Sequence, residues 1–570
     1  MNMGKKTKAI AVGGIFFAIA FIAVGVFAVT QSELKDRIWL SMNVDIVNVS
    51  GSSGEKQLWQ VENEKKVSFY NLDYQETIDK KLQKLIKKKK PTKEAPLYVI
   101  NPYGSNTCSV NVYFSSKEAL KVSYTVSTEG APDFSADLYN GTEEDYTTEH
   151  SYQMVGLLPG LENQLTLHFE NKDGQKTDSK PIRITMPEAA SSIALQIAEV
   201  IDGESRAELS DGLFAMLGHD KAWEANTYLY DNNGWLRGEL PLLGYRSDRL
   251  ERVGEYLLFS YSDHDLALMD RLGKIVRKYK FNDYVMHHDY CYDEASNTTF
   301  VLVSDRATEK EVVEDVVIAI DMESGEITRL LDFKDIFPEM YKLAISHYDT
   351  TVPEAEREPL DWIHFNTIDA ISRENGTDLL LSARELSTIV RINNVFENPK
   401  VAYLLSEESV WEETSYKELV WERKGDFVPQ AGQHTVTYME DDTLPEGQYY
   451  IAMYNNNFAW AASRPQFDWS VYPGAGAFEG KPEDNSYYYK YLVDENARSY
   501  TLVKAFPVPY SSIVSSVEDM DNGNYVTSSG KSNTFGEYDA DGRLIRQYNY
   551  DSRKYTYRVF KYDFENFWFK

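Results

Sequence analysis

The feature that most restricts the fold is a strand–turn–strand unit that recurs from about residue 205 to the end of the chain. Each copy has two β-prone runs joined by a turn rich in Asp, Asn or Gly, a pattern typical of antiparallel strand pairs. The copies begin about 60 residues apart on average, which leaves room for insertions between strands. Six copies occur, at residues 231–240, 270–279, 321–331, 391–405, 493–506 and 539–550.

Six such units predict a six-bladed β-propeller over residues 205–570. The terminal run, residues 555–564, would complete a blade together with early strands, which would close the ring and hide its sheet edges. Two stacked sandwiches are the alternative architecture. That arrangement would leave the histidine motifs described next without a common meeting point.

Three short motifs hold four of the nine histidines in the chain: HHDY (287–290), HFNT (364–367) and QHTV (433–436). Each motif is followed, roughly one strand later, by an apolar run (300–305, 379–384 and 449–454). In a propeller the innermost strand of each blade lines a central channel, so residues far apart in sequence can meet there. The spacing therefore predicts that the three motifs open the inner strands of separate blades.

The candidate site consists of His287, His364 and His434, with Arg384 near the same end of the channel. A guanidinium is a fixed fork of donors that suits an oxyanion, and an imidazole can act as nucleophile, base or acid near neutral pH. Two other interpretations stay open at this point. The run 287–289 has the residue types of a metal site, and Arg384 could form a salt bridge between blades.

Composition excludes some functions. The formal net charge of −30 argues against a nucleic-acid partner, because affinity for nucleic acids comes mostly from neutralising phosphates. Forty Tyr and 26 Phe against 19 Pro indicate a strand-rich, ordered chain. Two cysteines, Cys108 and Cys291, lie 183 residues apart, and the sequence leaves open whether they pair or stay free.

Residues 9–30 form an uncharged run of 22 residues, long enough to span a bilayer as a helix. Because Lys5, Lys6 and Lys8 precede it, the sequence predicts that residues 1–30 are a cytoplasmic tip and a transmembrane signal-anchor. The chain would then be a single-pass protein of the cell membrane with its remaining part, residues 31–570, outside the cytoplasm. A cleaved signal peptide is the alternative, with a weak cleavage site near Ala28.

Residues 31–95 have the features of a stalk that contains a short basic helix, residues 76–90, ended by Pro91. Short alternating runs separated by turn residues follow, and they predict a small immunoglobulin-like β-sandwich over residues 96–187. The predicted fold class is therefore all-β, with a sandwich followed by the propeller and one transmembrane helix before both.

Taken in order, these motifs resemble the bacterial arylsulfate sulfotransferases over about residues 95–570. The resemblance rests on PLYVINPYG (96–104) and GLLPGLEN (156–163) in the sandwich. In the propeller it rests on HHD, HFN, SAR and GQH, at residues 287–289, 364–366, 382–384 and 432–434. The family fold is a six-bladed propeller, which agrees with the repeat count.

The resemblance implies a reaction and a role for each site residue. A sulfuryl group would pass from an aryl sulfate donor to a phenol acceptor in a ping-pong cycle, with no nucleotide, metal or other cofactor. His434 matches the histidine that is transiently sulfated, His364 that of the HxN motif and Arg384 the arginine of the SxR motif. His287 matches the remaining active-site histidine, although the pair with His288 leaves that choice open.

The chain departs from the family pattern in two ways. The chain lacks the pair of nearby cysteines that forms a disulfide in periplasmic members, and it has a tether where those members have a signal peptide. A membrane-anchored, non-catalytic binding propeller is one alternative function. A metal-dependent propeller hydrolase is the other, although it would require more carboxylates beside the histidines. The sequence leaves the oligomeric state open, with a homodimer among the choices.

Overall fold

The computed structural model of the chain describes residues 34–49, 57–63, 67–218, 226–244, 246–306, 312–313, 315–346, 360–374, 376–553 and 555–570. Six sheets of four or five strands form the C-terminal part, and they are antiparallel except for one short edge strand that pairs in parallel. Residues before them form a separate sandwich, and its sheet is extended by elements from further upstream. The predictions of an immunoglobulin-like sandwich and a six-bladed propeller are both confirmed.

The six sheets are the propeller blades, numbered here in chain order, and their innermost strands surround the central channel. Their strands are blade 1, β11 (Leu213–Leu217), β12 (Thr227–Tyr230), β13 (Leu236–Leu240) and β35 (Arg558–Tyr562); blade 2, β14 (Leu250–Val253), β15 (Tyr256–Ser262), β16 (Asp265–Met269) and β17 (Ile275–Lys280); blade 3, β18 (Tyr284–Asp293), β19 (Thr298–Asp305), β20 (Val316–Asp321) and β21 (Ile327–Asp332); blade 4, β22 (Phe365–Arg373), β23 (Gly376–Ala383), β24 (Thr388–Asn393) and β25 (Lys400–Leu405); blade 5, β26 (Glu422–Lys424), β27 (His434–Met439), β28 (Gln448–Asn455), β29 (Asn485–Asp494) and β30 (Ser499–Pro509); and blade 6, β10 (Glu199–Asp202), β31 (Ser516–Asp519), β32 (Tyr525–Ser529), β33 (Thr534–Tyr538) and β34 (Leu544–Asn549).

The ring is closed by two pairings between the ends of the propeller sequence. The last strand, β35, is the inner strand of blade 1 and pairs antiparallel with β11, as the sequence predicts for the terminal run. The first strand, β10, pairs with β34 and forms the outer edge of blade 6. Because β35 joins a sheet whose other strands come from the start of the domain, main-chain hydrogen bonds hold the two ends of the propeller sequence together.

The sandwich is built around one long strand, β4 (Val110–Thr128), whose pairing register shifts between Ser115 and Leu120. Its first half pairs with β3 (Leu97–Ile100) and β6 (Thr147–Met154), and its second half with β5 (Phe134–Asp137) and β7 (Glu162–Asn171). Two short strands, β8 (Lys176–Asp178) and β9 (Ile182–Thr185), complete it beside β7.

Residues 34–95 do not form a separate stalk in the described part of the chain. Helix α1 (34–43), β1 (Val44–Asn48), β2 (Leu58–Asn63) and α2 (Leu72–Lys89) pack on the sandwich, and β2 extends its sheet by pairing in parallel with β3. The apolar face of α2 explains the difference, because Tyr74, Ile78 and Leu82 recur every four residues and bury together against β1 and β3.

The sandwich is fixed to the propeller by buried contacts with blade 1 and the C-terminus. Arg237 on β13 is fully buried and donates hydrogen bonds to the carbonyl oxygens of Gly156 and Pro132. At the C-terminus, Nε1 of Trp568 donates to Gln153 over 2.9 Å. The two domains therefore share a solid interface.

The predicted transmembrane segment, residues 9–30, lies outside the described residues. Within the described ranges, none of the helices combines the length and hydropathy of a membrane span. Two short helices, α3 (Phe333–Ile336) and α4 (Pro338–Ser346), lie between blades 3 and 4. Cys108 and Cys291 are both buried and free, which settles the alternative that the sequence left open.

Candidate active site

The four predicted site residues lie at the start of inner strands or in the adjoining turns of blades 3, 4 and 5. His287 is in β18, His364 immediately precedes β22, and His434 is the first residue of β27. Arg384 follows β23, and its backbone N–H donates to the carbonyl oxygen of His364 over 3.1 Å. The rings of His287 and His364 are 6.0 Å apart, and the charges of Arg384 and His364 act on His434. The structure thus brings all four together.

A local irregularity recurs where each motif enters its strand. The strand register shifts after Met286 in β18, after Phe365 in β22 and after His434 in β27. Three residues beside these bulges have left-handed backbone angles, with φ of +70° at His288, +49° at His364 and +52° at Thr435. Bulges redirect side chains out of the usual strand alternation, and such strained positions are concentrated at functional sites.

The imidazole of His434 is almost fully buried and is held through its Nδ1 atom. Nδ1 lies 2.7 Å from Oδ1 of Asn456 and 3.1 Å from the carbonyl oxygen of Gly432. The amide nitrogen of Asn456 donates to the carbonyl oxygens of Ser511 and Val514, which fixes the orientation of the amide. Because both neighbours of Nδ1 are acceptors, Nδ1 carries the proton and the lone pair of the neutral ring is on Nε2.

Burial lowers the pKa of His434 well below its ordinary value, and the positive charge of Arg384 lowers it further. The hydrogen bond to Asn456 acts in the opposite direction, and His364 and Arg558 add smaller decreases. His434 is therefore neutral at physiological pH, with a lone pair available on Nε2. A buried, neutral imidazole beside a guanidinium is suited to attack an anionic electrophile.

Two carboxylates that the sequence analysis missed flank the second histidine and the arginine. Oδ2 of Asp361 accepts a hydrogen bond from Nδ1 of His364 over 2.7 Å and lies 3.6 Å from Nη2 of Arg384. Glu385 pairs directly with the guanidinium of Arg384. Asp361 therefore orients the ring of His364 through Nδ1, while the two acids fix the guanidinium in place.

Asp361, His364 and Glu385 also form the one group of potential metal ligands that converges within the described residues. The guanidinium of Arg384 already contacts both carboxylates and supplies the positive charge that they compensate. A divalent cation would have to displace it, so the cluster is better described as an ion-pair network around Arg384.

Both histidines of the HHDY motif lie at the site. Their rings are 3.8 Å apart, and the ring of His288 lies 4.6 Å from that of His364. His288 is buried, and its Nδ1 lies 3.1 Å from Nη2 of Arg246, which donates to it. The guanidinium of Arg246 stacks on the ring of Tyr557 at 3.7 Å. The site thus contains a second arginine, at the junction of blades 1 and 2, that no sequence motif indicated.

Asp289 and Arg558 form a fully buried ion pair next to these histidines, with their closest atoms 2.8 Å apart. Nη2 of Arg558 also donates to the carbonyl oxygen of Asn366, and the amide of Asn366 donates to that of Gln433. Asp289, Asn366 and Gln433 are motif residues, and here they join blades 3, 4 and 5 to the closing strand β35. The motifs therefore have structural members as well as catalytic candidates.

Sequence reasoning missed Asp361, Glu385, Asn456, Arg246, Tyr557 and Arg558. Three of them had a local signal: Asp361 precedes His364 by three residues, Glu385 directly follows Arg384, and Asn456 is the middle of three asparagines that begin at the last residue of β28. The other three lie far from the motifs in sequence and reach the site only because the ring closes.

Comparison with known proteins identifies the two domains. A family model described as "Arylsulfotransferase (ASST)" matches residues 199–564, and one described as "Arylsulfotransferase Ig-like domain" matches residues 97–187. A search of curated proteins found no match.

Solved structures with similarity to the chain are distant. A protein of unknown function from Bacteroides caccae has a TM-score of 0.34 and 11% identity, covering 61% of this chain and 98% of its own. Apo AztD from Citrobacter koseri has a TM-score of 0.28 and 8% identity, covering 78% of this chain and 98% of its own.

Proposed function

The chain belongs to the arylsulfotransferase family, and from that premise we propose that it transfers a sulfuryl group from an aryl sulfate to a phenol through a sulfated His434. The observation that carries this proposal is the neutral imidazole of His434, which is fixed in one tautomer by Asn456 and lies beside Arg384. The family match covers more than half of the chain and includes every predicted site residue.

In the first half-reaction, the Nε2 lone pair of His434 attacks the sulfur of the aryl sulfate. An N–S bond forms, the S–O bond to the ring breaks, and its electron pair leaves with the phenolate oxygen. The sulfated ring keeps its Nδ1 proton and becomes positively charged, and Oδ1 of Asn456 stabilises that charge from 2.7 Å. This half-reaction leaves one SO₃ group on the protein and releases one phenol.

Arg384 has the electrostatic role in this step. Sulfuryl transfer resembles phosphoryl transfer, in which the transition state is loose and the peripheral oxygens hold much of the charge. A guanidinium presents several N–H donors in a rigid plane, so it can bind two of these oxygens together. Its contacts with Glu385 and Asp361 hold the side chain in position before substrate arrives.

His364 is the proton carrier in the proposal, with Asp361 as its orienting acceptor. When protonated, His364 can give its Nε2 proton to the departing phenolate, and the carboxylate of Asp361 stabilises the imidazolium. In the second half-reaction a new phenol enters, His364 takes its proton, and the phenol oxygen attacks sulfur as the N–S bond breaks. His287 and His288 border this space and complete the anion-binding surface.

The location of the enzyme is a separate part of the proposal. We propose that residues 9–30 anchor the chain in the cell membrane as a single-pass segment, with the two domains outside the cytoplasm. The support is the uncharged run of 22 residues with Lys5, Lys6 and Lys8 before it. Small aryl sulfates and phenols would then be the partners, and nucleic acid would not be one, since the chain is strongly acidic.

The experiment that tests the reaction is intact-mass analysis of the full chain after brief mixing with p-nitrophenyl sulfate and no acceptor. We expect a gain of one SO₃ unit and release of one nitrophenol per chain, and neither in the His434→Ala variant. His168→Ala is the matched control, because His168 is a half-exposed sandwich residue and should leave the adduct intact. Addition of EDTA should change neither the gain in mass nor the release of nitrophenol.

Three outcomes would overturn the proposal or its assignment of the nucleophile. Absence of adduct and of phenol-dependent turnover with several aryl sulfates would favour the non-catalytic binding propeller. Loss of activity with EDTA, restored by a divalent cation, would favour a metal-dependent hydrolase. An adduct that persists in His434→Ala would reassign the nucleophile.

A further inference from the structure

Helix α1 (34–43) has an apolar stripe that faces away from the protein. Leu34, Ile38 and Met42 recur every four residues, so they lie on one side of the helix, and they are 59%, 51% and 79% exposed. The opposite side of the helix holds Leu40, which is 3% exposed and packs into the cluster beneath α2. The helix is therefore apolar on two sides, and only the side with Leu40 is buried against the rest of the protein.

Basic side chains lie directly beside this stripe. Residues 72–90 contain seven lysines and three acidic residues, in a chain whose net charge is −30. Arg37 of α1 is tied to Asp73 of α2 by a 2.8 Å ion pair, so the two helices are held side by side. The groove between them is lined by five basic and three acidic side chains: Arg37, Lys80, Lys81, Lys84 and Lys88, with Asp45, Asp73 and Glu76.

The sequence places this surface close to the proposed membrane anchor. Three residues separate the uncharged run 9–30 from the start of α1. Even when fully extended, three residues span only about 10 Å. If the run crosses the bilayer, α1 has to begin at its surface.

We propose that α1 and the lysines of α2 dock on the outer surface of the membrane, with anionic phospholipids as the ligand. The stripe of Leu34, Ile38 and Met42 enters the boundary between headgroups and acyl chains, and Lys84 and Lys88 contact the headgroup phosphates. An apolar stripe beside a cationic surface is the pattern of interfacial helices. The inference rests on the proposed membrane anchor and is independent of the proposed sulfuryl transfer.

Docking would change what the anchor does. A single-pass tether alone lets the two domains rotate and tilt freely above the bilayer. A second contact through α1 and α2 fixes one orientation of the sandwich, and the solid interface with the propeller transmits that orientation to the catalytic domain.

The test uses the full chain in lipid nanodiscs, with a spin label at Met42→Cys. Cys108 and Cys291 are buried, so the label reports on the introduced thiol. Its accessibility to oxygen, which partitions into lipid, is compared with that to a water-soluble nickel complex. Lys176→Cys on β8 is the control position, because that side chain is 77% exposed on the sandwich.

In discs that contain phosphatidylglycerol, we expect a severalfold higher oxygen-to-nickel ratio at Met42→Cys than at Lys176→Cys. The difference should shrink in phosphatidylcholine discs and after Lys84→Glu with Lys88→Glu. The matched pair Lys172→Glu with Lys176→Glu makes the same change of charge on the sandwich, and it should leave the ratio at Met42→Cys unchanged.

Each of the other results would overturn a stated part of the proposal. Equal ratios at the two positions, with the protein still in the disc, would overturn docking and leave the anchor intact. A chain that does not copurify with the discs would overturn both. The role of the anionic headgroups would be overturned if the ratio at Met42→Cys stayed high in phosphatidylcholine discs and after Lys84→Glu with Lys88→Glu. Sulfuryl transfer measured on the same sample reports separately on the reaction.

Discussion

Oδ1 of Asn456 accepts a hydrogen bond from Nδ1 of His434 over 2.7 Å, and the amide nitrogen of Asn456 donates to two carbonyl oxygens just before blade 6. The nucleophile proposed on blade 5 is therefore oriented by the segment that leads into the next blade. This relationship decides which nitrogen of the ring has a lone pair, and it leads to the first two predictions.

Asn456→Ala should lower the rate of adduct formation by about 10–100-fold, because it leaves a buried N–H without its side-chain acceptor and frees the tautomer. Presteady-state release of nitrophenol measures this rate directly. Asn457→Ala is the matched control, since Asn457 contacts the carbonyl oxygens of Gly474 and Asn485 and not the imidazole. Equal losses in the two variants would show that the effect is structural.

Asn456→Asp should preserve the tautomer and change the pH dependence. A carboxylate 2.7 Å from Nδ1 favours the imidazolium, so the pKa of His434 should rise from its lowered value. Only the neutral ring attacks sulfur. As the pH is lowered, the rate of adduct formation should therefore begin to fall at a higher pH in the variant than in the wild type. Rates measured between about pH 5 and pH 8 test this shift, and coincident profiles would contradict it.

Arg384→Lys should keep the positive charge but lose the planar fork, and we expect kcat/KM to fall by about 10²–10³-fold. The loss should appear mainly in kcat if the guanidinium binds the transition state more tightly than the substrate. Arg183→Lys on the exposed face of β9 is the control. A wild-type rate in Arg384→Lys would show that charge alone is sufficient.

Asp361→Asn should distinguish between leaving groups. Without the carboxylate, the protonated form of His364 is less stable, so fewer molecules hold the proton that the phenolate needs. Phenyl sulfate should therefore slow by about 10²–10⁴-fold. p-Nitrophenyl sulfate has a better leaving group and should slow much less. An equal loss with both donors would mean that Asp361 only positions its neighbours.

His150 should make the sandwich sensitive to acid. It is buried, stacks on Phe114 and contacts Ser116 and Tyr152, and burial lowers its pKa to about 4. The unfolded chain binds this proton below about pH 6.5, so stability falls as the pH drops from there to 4. When complete, this loss lowers the free energy of unfolding by about 3 kcal/mol.

His150→Gln should remove that part of the pH dependence. Urea unfolding at several pH values, followed by fluorescence, measures the free energy of unfolding for the wild type and the variant. The difference between them should narrow as the pH falls from 6.5 to 4. His168→Gln, at a half-exposed histidine of the same domain, is the control. A constant difference would contradict the prediction.

The fold was largely predictable because its signals are local and repeated. Each blade repeats strand, turn and strand, and alternation along a strand is visible within a few residues. The region 34–95 was harder to interpret, since an amphipathic helix such as α2 has the same pattern whether it stands alone or packs on a neighbouring sheet. Tyr74, Ile78 and Leu82 are buried only because β1 and β3, formed elsewhere in the chain, provide a surface to pack against.

The sequence by itself determined the six-bladed architecture, the family, and which histidines and arginine open the inner strands. Only the tertiary structure decided the tautomer of His434, the carboxylate behind His364 and the arginine beside His288. The physical reason is that a hydrogen bond depends on the position and direction of two atoms in space. Asn456 and His434 are 22 residues apart, and Arg558 and Asp289 are 269 apart, and no periodicity along the chain records that such residues meet.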